Sequence, residues 1–221
     1  MSDQPGNWEI YLSKEEFDKI RSDPRLAILL NLARTVNALT FCFRSLLQST
    51  NDSTPAGQRH YFNSFLFACG ILYEGLKVAN TLGKRFGDRD SFRKGFGRLL
   101  KDKETKRLQE TVLNSMRNKI VFHFEADAMS TTLNELDLNS YSFAIGQGST
   151  SGEAYYKLAD DIAINFIIGS PGTHEDEVQL FRATAKGITQ ILSGFVAAAN
   201  DLIADILKEM NWALREVSES Y

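Results

Sequence analysis

The sequence predicts a mainly α fold, a helical bundle of about four to five long helices, with a small β-hairpin at about residues 138–170 inserted before the last helix. Apolar residues recur at spacings of three and four over long stretches, and clusters of turn formers separate those stretches. The one clear two-residue alternation, Tyr141, Phe143 and Ile145, runs into the loop "GQGSTSG", which is a hairpin signal. With 221 residues and 43% hydrophobic content, the chain is long enough to bury a core without disulfides, so 1–221 is expected to form one domain.

The elements follow in order. "LSKEEFDKI" has capping-box spacing from Ser13 to Glu16 and reads as a short helix packing through Phe17 and Ile20. Asp23 then suits an N-cap and Pro24 a first turn, after which Leu26, Leu29, Leu30, Ala33, Val36, Leu39 and Phe43 keep helical spacing. "NDSTPAG" breaks this helix and "QRHYFNSFLFACGILYEGLKVANTL" resumes the period, so two long helices should lie antiparallel. "ETKRLQETVLNSMRNKIVFHF" is helical, and "EADAMSTTLNEL" is a short helix. "DDIAINFIIG" fits a strand or a buried helix, which leaves 159–169 open. Thr173 is the expected N-cap of a long final helix interrupted by Gly187 and Gly194.

Charge is uneven. From Lys84 to Arg107 there are ten Lys and Arg against four acids, a local +6 in a chain of −3, which leaves −9 elsewhere. A net negative chain does not coat nucleic acid with its whole surface, but this segment offers a phosphate-contacting patch through Lys84, Arg85, Arg89, Arg93, Lys94 and Arg98. Phe86, Phe92 and Phe96 are available there either for base stacking or to anchor the segment to the core. The competing reading of the whole segment is a solvated helix face.

Cys42 and Cys69 lie in separate helical runs with no CxxC and no clustered histidines, so no metal site, cofactor or disulfide framework is expected. The polar, acidic start and the lack of a run approaching about eighteen apolar residues point to a cytoplasmic protein with no membrane partner. "GQGSTSG" lacks the Gly-Lys-Ser/Thr ending of a phosphate-binding loop and reads as a turn. His60 and His174 sit near helix starts and build no constellation.

"RNKIVFHF", residues 117–124, places ionisable and polar side chains in an apolar run. Leu113, Met116, Ile120 and Phe124 form one stripe, with Arg117 and His123 on opposite shoulders, roughly 120° apart at about 100° per residue. Two side chains so placed converge only if the helix is broken or a partner supplies the other half. The plain alternative is a hydrogen-bonded histidine and an arginine paired with an acid such as Glu74 or Asp127.

The arginine, the asparagine directly after it and the histidine six positions on resemble the R-x4-6-H motif of the HEPN superfamily, here Arg117, Asn118 and His123, with a looser match from about residue 23 to the C-terminus. The resemblance implies a helical bundle that dimerises with its motifs face to face. It implies a metal-independent endoribonuclease of a defence or toxin-antitoxin system, with RNA, a second copy of the chain and an antitoxin or other protein as partners. His123 would then move the proton, Arg117 hold the phosphate, Asn118 orient a neighbouring group, and Glu74 pair with Arg117 or tune His123. Some members are non-catalytic, so the alternative is a helical module that binds a nucleotide, RNA or a protein through the same cleft.

Overall fold

A computed structural model describes residues 8–10, 13–122, 125–135, 145–146, 155–169, 174–209 and 214–216, and the chain is mainly helical. Strand β1 (Trp8–Ile10) precedes the short helix α1 (Lys14–Ile20), whose Phe17 is exposed rather than packed as the sequence suggested. Asp23 caps α2 (Pro24–Ser49) by accepting a 2.8 Å hydrogen bond from the Arg25 backbone N–H. Thr54 caps α3 (Pro55–Phe86) by accepting one from Gly57 at 3.1 Å. A Cβ at Gly57 would meet Asp52, and one at Gly75 would lie 3.0 Å from Thr35 Cγ2, so the paired positions diverge from the loop and the two helices run antiparallel.

The basic segment folds into α4 (Asp90–Lys94) and α5 (Phe96–Leu99), followed by α6 (Lys103–Leu108), capped by Asp102. A Cβ at Gly95, between α4 and α5, would lie 2.8 Å from that of Ala198, so only glycine lets this corner approach the last helix. Beyond α6 the helix is wound with i→i+5 hydrogen bonds over Gln109–Leu113 and again over Met116–Val121. Next come α7 (Ala126–Glu135), α8 (Lys157–Ile168) and α9 (His174–Glu209).

The hairpin at 138–170 is not supported: 157–168 is helical, and the described residues of that stretch contain just a two-residue pairing of β2 (Ile145–Gly146) with β3 (Tyr155–Tyr156). In α8 the buried side chains Ile162, Ala163 and Ile167 follow helical spacing, which answers the ambiguity at 159–169. Strand β4 (Leu214–Glu216) pairs antiparallel with β1. The final helix also runs unbroken through both glycines. A Cβ at Gly187 would lie 2.9 Å from Leu108 Cδ1 and one at Gly194 3.3 Å from Leu99 Cδ1, so the glycines serve close approach rather than termination. Thr173, the expected cap, lies outside the described residues.

The core joins α2, α3, the π-wound stretch and α9 through Leu32, Leu39, Leu72, Leu76, Met116, Ile188 and Leu202, all essentially inaccessible. Phe96 bridges Phe92 and Phe195, at centroid distances of 5.9 and 5.1 Å. Three helical stretches, Pro24–Ser49, Ala56–Phe86 and Gln179–Glu209, are long and apolar enough to cross a membrane by length and composition, contrary to the expectation that no run approaches a span. Within the bundle the buried stripes of these helices face one another.

Acids at helix starts and in ion pairs set the pH response. A hydrogen bond from the Ser91 hydroxyl and then the Arg89 guanidinium lower Asp205, and Arg89 also lowers Glu209. Hydrogen bonds from the Thr105 backbone and side chain lower Asp102, while burial raises Asp160. A carboxyl whose folded pKa is depressed contributes stability above its unfolded value of about 4, and loses it as pH falls through the folded value. Asp160 works in the opposite sense and is outnumbered. The thermal midpoint should therefore hold between pH 7 and 5 and fall below about pH 4, and Asp205→Asn should blunt that fall; a midpoint flat down to pH 3 would contradict it.

Candidate functional site

The site is built on the second π-wound stretch, Met116–Val121, where it crosses α3. Met116, Ile120 and Val121 are buried and hold the backbone in place. Arg117 is carried on the edge of this buried face. Its Nε donates to Glu74 Oε1 of α3 at 2.7 Å, and its Nη1 donates to Asn118 Oδ1 at 2.8 Å. Asn118 in turn donates through Nδ2 to Asn114 Oδ1 at 2.7 Å, four residues back. The other oxygen of Glu74 accepts from Lys77 Nζ at 3.3 Å. Glu74, Arg117 and Asn118, three of the four expected catalytic residues, are thus in one hydrogen-bonded chain.

The π winding has a specific consequence at this point. Residues five apart fall on the same side of an i→i+5 turn, whereas on an α-helix they point about 140° apart. Arg117 and Phe122 are five apart, and the guanidinium carbon lies 5.9 Å from the Phe122 ring centroid. Phe122 itself rests on α3 where a side chain at Gly70 would stand, since a Cβ there would be 2.8 Å from its ring. The arginine is therefore held by a carboxylate, an amide and an aromatic face. Its side chain is 29% exposed, and that of Glu74 40%. His123 and Phe124 lie outside the described residues, and Asp127, the other acid weighed for Arg117, sits exposed on α7.

The six expected RNA-binding residues divide. Arg89 is spent inside the fold, paired with Asp205 and Glu209 of α9 and set over the Phe86 ring. Arg93 and Lys94 both pair with Asp90. Lys84, Arg85 and Arg98 are exposed. Lys84 stands ten residues beyond Glu74, about 15 Å along α3 at 1.5 Å per residue. The stacking role open to Phe86, Phe92 and Phe96 is excluded, because all three are buried and tie the segment to the core.

Comparison with protein-family models, with curated proteins and with solved structures finds no match.

Sequence reasoning missed Asn114, Lys77 and Phe122 as parts of this cluster. The asparagines of "NSMRN" stand four apart, a spacing that places side chains together on a helix, and that signal was available. Phe122 was not accessible in the same way, because its position depends on the π winding.

Proposed function

We propose that the chain is a HEPN-like, metal-independent endoribonuclease that works as a homodimer. The observation that carries this reading is the fixing of Arg117 by Glu74 and Asn118 at a partly open surface. An ion pair as accessible as Glu74–Arg117 contributes only about 0–1 kcal/mol to stability. A five-member polar and aromatic cluster around one guanidinium is more than that modest gain explains. It orients a planar fork of donors, which suits a phosphate.

In the proposed reaction the ribose 2′-hydroxyl gives its proton to the imidazole of His123, whose ordinary pKa of about 6.5 suits proton transfer near neutrality. The bond from O2′ to phosphorus forms as the bond to O5′ breaks, and the leaving O5′ takes its proton from water. Arg117 stabilises the charge building on the phosphoryl oxygens. Glu74 and Asn118 hold the guanidinium in place, and exposed Lys84, Arg85 and Arg98 draw the strand in.

The products distinguish this route. Wild-type protein given a mixed RNA pool with chelator should leave 2′,3′-cyclic phosphate and 5′-hydroxyl ends, and should leave 2′-O-methylated RNA whole. Cleavage of the methylated RNA, or 3′-hydroxyl ends, would remove the 2′-hydroxyl from the mechanism. RNA bound by the wild type but never cut would favour the non-catalytic binding module.

A further inference from the structure

With Phe86, Phe92 and Phe96 buried, an unpaired base needs another platform. Three large aromatics are exposed on these elements: Phe41 on α2 at 72%, Phe67 on α3 at 50%, and Phe122, beside Arg117, at 47%. Phe41 and Phe67 form walls of a groove of about 600 Å³ between α2 and α3, with Cys42, Ile71, Arg34 and Ser64 also lining it. That volume falls within the usual range for a small-ligand site.

Among the described residues that line the groove, Arg34 is the one charged residue, and it is a cation. Helix α2 contains no acid, and α3 has none before Glu74, which already serves Arg117 and Lys77. Among the described residues no carboxylate forms an ion pair with Arg34 or Arg44. A second copy of this chain would set one cationic groove against another, and a bilayer would have to take in Arg34, Asn37 and Ser64. A flat aromatic ring carrying a phosphate satisfies both the walls and the charge.

Arg34, at one end of the groove, stands near the level of the site already described. Thr35 lies against Gly75, which puts Arg34 at the level of Glu74, while Phe41 is seven residues along α2, about 10 Å away. Resting on the ribonuclease reading, we propose that this groove seats an unpaired base of a single-stranded RNA, stacked on Phe41 and Phe67, with Arg34 on its phosphate and the strand running on past Phe122 to Arg117. The substrate class is therefore single-stranded rather than duplex RNA.

The test is binding of a fluorescent oligoadenylate and of an RNA duplex of equal length by wild type, Phe41→Ala/Phe67→Ala and Arg34→Ala, with oligomeric state measured on each. Both aromatics are at the surface, so the double variant should fold. Loss of a stacked base predicts at least about tenfold weaker binding of the single strand by the double variant. Duplex binding should change little, and Arg34→Ala should weaken the single strand and reduce its salt dependence. Equal oligoadenylate binding by the double variant and the wild type would overturn the groove assignment while leaving the ribonuclease reading intact. A double variant that changes oligomeric state with RNA binding unaltered would make the groove an interface between copies. A wild type that neither binds nor cuts RNA would sink the reading beneath the proposal as well.

Discussion

Replacing Arg117 by alanine is expected to slow RNA cleavage by at least about 100-fold, the usual cost of removing one oriented donor from a developing oxyanion. It should shift the thermal midpoint by no more than about 4 °C, because an accessible ion pair carries at most about 1 kcal/mol and a chain of this size moves about 2–4 °C per kcal/mol. The separation of these two effects is the informative part. A structural arginine would show the reverse pattern, with a lowered midpoint and no specific loss of cleavage. Arg117→Lys should recover little, since an ammonium cannot hold Glu74 and Asn118 in the plane of a guanidinium while meeting a phosphate. Glu74→Gln should fall between wild type and Arg117→Ala, as the amide oxygen still accepts from Nε without its charge.

The largest effect on stability is expected at Phe96. Its ring is fully buried and packs against Phe92 and Phe195, so Phe96→Ala removes the link between the basic segment and α9. Truncation of a buried phenylalanine costs about 3–5 kcal/mol, a large share of the total of about 5–15 kcal/mol for a typical domain. The midpoint in thermal unfolding should drop by roughly 6–20 °C. A change below about 1 kcal/mol would mean that α5 is not part of the cooperative core.

Much of the bundle was legible because α3 and α9 concentrate their apolar residues at helical spacing, and because Asp23 and Pro24 mark a helix start. Helix α2 shows where such reading loses its footing. Its apolar residues spread around most of the circumference, so Leu30 joined the expected core stripe although it is 61% exposed, while buried Leu32, Cys42 and Leu46 were left out of it. Of these, Cys42 also lines the groove, beside Phe41. In "DDIAINFIIG" the short isoleucine-rich run carries too few residues for the period to decide between strand and helix, and packing in the bundle makes the choice.

The site was legible in part. Arg117, Asn118 and Glu74 came from a motif resemblance and lie in one hydrogen-bonded chain. The i→i+5 winding that brings Phe122 beneath Arg117 has no signature in "ETVLNSMRNKIV", whose residues are ordinary helix formers. In the basic segment, composition revealed the charge but not its partners. Arg89 looked like a phosphate contact until Asp205 and Glu209, more than a hundred residues later, were brought beside it. Local patterns report local structure, and ion pairs formed across the fold lie beyond them.

Under the proposed function Arg117 and His123 act together to cleave RNA. That joint action is tested most directly by the rate of cleavage of one mixed RNA pool, in chelator, by wild type, Arg117→Ala and His123→Ala at equal folded concentration. The wild type should cleave steadily, and both variants should lose that cleavage. Undiminished cleavage in both, or a wild type that holds RNA without cutting it, would contradict the proposed function and return "RNKIVFHF" to the core as a packed helix edge.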